Sequence, residues 1–220
     1  MVIFILPSLL LSILPSVFLD RFGNVETRDK IGRKLGLGSL SYNEDGEEFI
    51  SACENGYAAL VEIILKSTKI STLNRKSRNG YTGLHIACFL NRIKAVELLV
   101  QQPTINLNVQ DYEDFTPLHR ACMENNTDVV KILIKQKIVD LNIKDNDGYT
   151  AFFYACDKSK EMIETMLGTG KIQVEELKGF TDFVKNEDGS KKFLIITENG
   201  KKLFITLDAT NNLKSIELSV

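Results

Sequence analysis

Thr116-Pro117-Leu118-His119-Arg120-Ala121 is the middle one of three versions of a phrase. Thr82-Gly83-Leu84-His85-Ile86-Ala87 precedes it and Thr150-Ala151-Phe152-Phe153-Tyr154-Ala155 follows it, each at a step of 34 residues. A fixed period in this range marks stacked supersecondary units. The first two versions hold both histidines of the protein. All four cysteines keep the same rhythm: Ala52-Cys53, Ala87-Cys88, Ala121-Cys122 and Ala155-Cys156, at steps of 35, 34 and 34. The scarce reactive side chains therefore occupy repeat slots, which makes them packing residues before any catalytic role is considered.

The residues between the phrases fill in the unit. From Glu47, apolar residues fall at the i, i+3, i+4 spacing of helices buried along one side. Phe49, Ile50 and Ala52 begin a first pair, which Leu60, Val61, Ile63, Ile64 and Leu65 continue. The second helix of later units reads Val96, Leu98, Leu99; then Val129, Val130, Ile132, Leu133; then Ile163, Met166, Leu167. Ile105-Asn106-Leu107-Asn108 and Val139-Asp140-Leu141-Asn142 alternate apolar and polar, which predicts a short extended segment in each. Asn79-Gly80, Asp114 and Asp147-Gly148 occupy the turn slot before each threonine, where a positive φ suits glycine, Asp and Asn.

Asp111-x-x-Asp114-x-Thr-Pro-Leu-His-x-Ala and Asp145-x-x-Gly148-x-Thr150 resemble the ankyrin repeat, over about residues 47–176. The likeness is closest in the units at Thr82 and Thr116. It is weaker at Thr150, where Phe153 takes the His slot, and weakest in the first unit. The resemblance implies an α solenoid of about four helix pairs, each pair followed by a protruding finger loop. It also implies that the Thr opens the first helix and hydrogen-bonds the His, which Thr150 cannot do. Degenerate first and last units fit the capping units of a linear array.

The domains expected are a hydrophobic segment at 1–19, a polar linker at 20–46, the repeats at 47–176 and a β-meander or cap at 177–220. Residues 1–19 carry no charged side chain. As a helix they would span about 27 Å, close to the ~30 Å of a bilayer core. Three readings stand: a membrane anchor, a signal peptide that lacks a basic start and a small-residue cleavage site, or an apolar extension packed on the first repeat. A short helix is expected at Thr27–Leu35. After Gly179 the pattern turns to strands. Phe193–Thr197 and Leu203–Leu207 flank Glu198-Asn199-Gly200-Lys201, a hairpin signal. Four antiparallel strands are expected at about 180–185, 191–197, 202–207 and 213–219. Strand two is apolar on both faces, so the last repeat is expected to pack against the sheet.

A hydrophobic share of 44% and a charged share of 25% are those of a folded chain. A net charge of −2 gives no general pull toward nucleic acid. The cysteine spacing is not that of zinc ligands, and equivalent slots point the same way, which argues against disulfides. No phosphate loop, metal spacing or nucleophile–base set is present. No catalytic residue, cofactor, metal or small-molecule substrate is therefore expected. The function expected is binding of an unidentified protein, in the cytoplasm, with membrane association if 1–19 is an anchor.

Tyr81, Phe115 and Tyr149 share one slot at steps of 34. Two readings of this aromatic column stand: rings that stack on one another and stiffen the fingers, or a stripe that binds a partner. The family resemblance puts partner contacts on finger tips and the exposed side of the first helix. The matching residues are Arg78, Asn79, Tyr81, Phe89 and Leu90; Tyr112, Glu113, Phe115, Met123 and Glu124; Asn146, Asp147, Tyr149, Asp157 and Lys158. Arg75, Lys76 and Arg78 make the first finger basic, whereas Glu113, Asp114, Asp145 and Asp147 make the later ones acidic. An alternative is a structural spacer, or a membrane-anchored scaffold, whose C-terminal sheet makes the contacts.

Overall fold

A computed structural model describes residues 47–67, 73–173, 178, 180–197, 199–210 and 212–218. The expected hydrophobic segment at 1–19, and the helix at Thr27–Leu35, lie outside these residues. The described chain holds four helix pairs and then a sheet. The pairs are α1 (Glu47–Asn55) with α2 (Ala58–Ser67), α3 (Gly83–Phe89) with α4 (Ile93–Val100), α5 (Pro117–Met123) with α6 (Thr127–Ile134), and α7 (Ala151–Cys156) with α8 (Lys160–Leu167). First helices pack on first helices and second on second, so the array has two layers.

Local chemistry explains where the first helices begin. Thr82 and Thr116 cap α3 and α5 by accepting from the backbone N–H of His85 and His119, which satisfies a donor the helix leaves open. Thr150 stands at the same place before α7, but its side chain caps nothing. Its Oγ1 is buried without a hydrogen-bond partner. The fingers before these threonines turn through Gly80 (φ 81), Asp114 (φ 59) and Gly148 (φ 81), the slots assigned to positive φ.

One hydrophobic core runs the length of the array, from Phe49 through Leu84, Leu99, Leu118, Leu133, Phe152 and Met166. Cys53, Cys88, Cys122 and Cys156 form a fully buried column within it, none in a disulfide. Gly83 stands where the next unit has Pro117. A Cβ on Gly83 would come within 2.7 Å of Phe49 Cε1 and 2.9 Å of Cys53 Sγ. The glycine is therefore the complement of the large ring in the degenerate first unit.

The stretches at 105–108 and 139–142 are not extended segments. They are turns and irregular backbone, although the alternation survives: Ile105, Leu107, Val139 and Leu141 are buried. The polar partner of each pair explains why no strand is needed. Asn108 Nδ2 donates to Ile138 O (2.7 Å) and its Oδ1 accepts from Asp140 N (2.9 Å). Asn74 makes the same two bonds to Thr104 O and Asn106 N, and Asn142 to Lys171 O and Gln173 N. These asparagines, at steps of 34, clip each repeat to the segment that follows.

The sheet is β1 (Phe180–Lys185), β2 (Lys191–Ile196), β3 (Lys202–Leu207) and β4 (Leu213–Leu218), antiparallel in that order. Phe193 pairs with Ile205 and Ile195 with Leu203. This inner face joins the core of the repeats, and β4 lies against α8. The other face stays open: Leu194 and Phe204 pair there half-buried, and Ile196 is exposed. The last repeat thus packs on one apolar side of strand two only.

Candidate functional site

The fingers are built by side chains, not by chance turns. Asp111 Oδ1 accepts from the backbone N–H of Glu113 (2.9 Å) and Phe115 (3.1 Å). Asp145 Oδ1 does the same for Asp147 and Tyr149, both at 2.9 Å. Asp111 and Asp145 are buried, which corrects the expectation that Asp145 helps to make its finger acidic. The acidic character of the later fingers rests on Glu113, Asp114 and Asp147 instead.

Each histidine then ties one finger to the next. His85 Nδ1 accepts from Thr82 N–H at 3.2 Å and lies 2.9 Å from Thr82 Oγ1. That leaves the ring proton on Nε2, which donates to Phe115 O at 3.0 Å. His119 repeats the pattern with Thr116 and with Tyr149 O at 3.3 Å. Burial pushes the His85 pKa down to about 4, against the opposing pull of the Phe115 carbonyl and of Asp111. The His119 pKa is lowered by the same cause. Both rings are neutral struts. Burial also pushes the Cys53 thiol up to about 12 and raises the other three, so these are poor nucleophiles. Among the described residues no cluster of three or more His, Cys, Asp or Glu could hold a metal.

The three rings of the aromatic column do not stack on one another. Tyr81, Phe115 and Tyr149 are half-buried, and other groups come between them. The Arg120 guanidinium lies 4.9 Å from the Tyr81 ring centroid and 4.4 Å from that of Phe115. It donates through Nε (2.9 Å) and NH2 (2.6 Å) to Asp111 Oδ2 and through NH2 to Glu113 Oε2 (2.6 Å). Burial works against its charge, but the bonds from Glu113 and Asp111 outweigh that and raise its pKa. Tyr154, one period on, meets Phe115 edge-on at 5.7 Å and donates to Asp145 Oδ2 at 2.7 Å. Tyr149 stacks on Phe153, with centroids 4.1 Å apart, under the Lys178 ammonium.

The C-terminal part therefore closes one end of the row. Lys178 Nζ donates to Asp147 O, and Asn199 in the β2–β3 turn donates to the Asp157 carboxylate. Phe89, Leu90 and Tyr112 are exposed, and along the row Arg78, Asn79, Glu113, Glu124, Asn146, Asp147 and Lys158 are also open and Met123 is half-buried. Sequence reasoning missed Arg120, which organises the two fingers, and the Asn74, Asn108 and Asn142 clips. The clips share the period of the phrase and could have been found by it. Arg120 has Ile86 and Tyr154 in its slot and gave no such signal.

A family model for ankyrin repeats (3 copies) matches residues 40–111 and 105–176, more than half of the chain. The chain belongs to the ankyrin-repeat family. No curated protein matches it. Ankyrin repeats generally mediate protein–protein interactions and are generally non-catalytic. Among the described residues no helix is long and apolar enough to cross a membrane.

Proposed function

We propose that this ankyrin-repeat chain is a non-catalytic protein–protein interaction module, taking its protein partner on the concave face formed by finger loops and first helices. One observation carries the reading. Of the six large apolar side chains that the described residues expose, Phe89, Leu90 and Tyr112 lie on this side, at 43%, 36% and 64% exposure. Apolar groups gathered on one face, rimmed by polar ones, mark an interaction surface. Arg78, Asn79, Glu113, Glu124, Asn146, Asp147 and Lys158 form that rim. Four unpaired buried thiols fit a reducing compartment such as the cytoplasm.

A second reading rests on the outer side of the sheet, where Val184 and Ile196 are 55% and 39% exposed and β1 and β4 are edge strands. Deleting the sheet would not separate the two readings, because its inner face shares the core of the repeats. Affinity capture with the full chain as bait, and with Phe89→Ala, Tyr112→Ala and Ile196→Lys, does so. A partner lost from the first two and kept by the third supports the finger face. The opposite pattern moves the contact to the sheet.

A further inference from the structure

A small pocket opens beside the first helices of the second and third repeats, lined by Tyr81, His85, Ile86, Phe89 and Arg120. Its cavity volume is about 80 Å³, well below the ~300–1,000 Å³ of sites that enclose small-molecule ligands. It fits a single side chain.

The chemistry of the walls says which kind. Ile86 and Phe89 are apolar. His85 has both ring nitrogens committed, one to Thr82 and one to Phe115 O. Arg120 is flanked by two aromatic rings, and its Nε and NH2 are taken by Asp111 and Glu113. Only its NH1 lacks a hydrogen-bond partner among the described residues, a place suited to one main-chain carbonyl. A polar guest side chain would lose its water and could regain bonds only at Arg120 Nη1 and the Tyr81 hydroxyl, whereas an apolar one gives up no hydrogen bond. His85 and Arg120 are already held by these bonds, which lowers the ordering cost left for binding.

The rim adds a charge preference. Arg120, Asp111 and Glu113 form one ion-paired group that sums to −1. The Asp111 side chain is 1% exposed but that of Glu113 is 64% exposed. The excess negative charge thus faces water at Glu113. Lys76, the nearby cation of the preceding finger, lies against the Tyr112 ring at 5.6 Å. It does not pair with this carboxylate.

Resting on the finger-face reading above, we infer that the partner anchors here by one apolar side chain adjacent to a lysine or arginine, whose cation meets Glu113. The test uses a displayed library of random heptapeptides selected on the full 220-residue chain. Recovered peptides are then synthesised and titrated by NMR against wild type, Phe89→Ala and Glu113→Gln. The expected consensus is an apolar residue next to a basic one, with shifts at the Ile86 methyl groups. Phe89→Ala should weaken binding by roughly fivefold or more. Glu113→Gln should weaken it by roughly twofold to fivefold at low salt. Both side chains are substantially exposed, so circular dichroism should be unchanged. Acidic neighbours in the consensus, no enrichment, or equal binding to Phe89→Ala would overturn the inference. Peptides that shift Arg78, Tyr112 and Asn146 but not Ile86 would refute the pocket and leave the finger face standing. Peptides lost only on Ile196→Lys would refute both.

Discussion

Lowering the pH should loosen the array through His85. In the folded chain burial holds this imidazole at a pKa of about 4, against 6.5 for the free group. As pH falls below 6.5 the unfolded chain takes up the proton first, so stability drops with pH and levels off below about 4. At pH 5 the ratio of the two binding terms is roughly 30, worth about 2 kcal/mol. The geometry gives the cause. A proton on Nδ1 would face the Thr82 N–H, a donor, at 3.2 Å, and the buried charge would lack a counterion in contact. Urea unfolding followed by circular dichroism at pH 7.5 and 5.0 measures the loss. His85→Gln should remove most of that pH dependence, and the double variant with His119→Gln should remove more, since the His119 pKa is lowered too. A ring-proton NMR titration of the folded protein is the direct test. A midpoint near 6.5 for His85 would refute the reasoning, because the ring could then be charged inside the fold without cost.

Gly83→Pro restores the Thr-Pro-Leu-His phrase of the third unit, and on propensity alone it should help by about 0.4–1 kcal/mol. The Phe49 ring and Cys53 Sγ already fill that space, so a net loss of about 1–3 kcal/mol is expected from overpacking. Thermal melts decide it, and Phe49→Leu should recover part of the loss. Thr150→Val should raise stability by about 1 kcal/mol, because it replaces a buried, unbonded hydroxyl by a methyl. Thr116→Val should lower it by about 1–2 kcal/mol, through loss of the cap on α5. Equal effects at the two threonines would show that the Thr116–His119 pair contributes nothing.

The helix pairs, the buried cysteine column and the strand meander were legible because each is written locally, in period or alternation. That Thr150 would lack a histidine partner was legible too, since Phe153 stands in the His slot three residues away. What sequence could not supply was the identity of neighbours some 30 residues apart. Asn108 reads as a polar residue in an alternating stretch, yet its amide spans two repeats. Asp145 reads as a surface acid, yet it is a buried hub for two backbone amides and Tyr154. Of the candidate site, Phe89, Leu90 and Tyr112 were placed correctly as exposed. Tyr149 and Asp157 are half-buried, and nothing local says that Lys178 and Asn199 return to meet them.

The asparagine clips and histidine struts share a direction. Asn74, His85, Asn108, His119 and Asn142 all bond to backbone that comes later in the chain. On a ribosome, each unit therefore emerges with these donors still waiting for residues not yet made. No repeat locks behind the exit tunnel until its successor has begun to appear. Each is completed by its successor, and the last clip closes only when Lys171 and Gln173 have appeared. Protection of nascent chains from protease should accordingly rise in steps that trail each unit by one repeat, as residues 106, 140 and 173 appear.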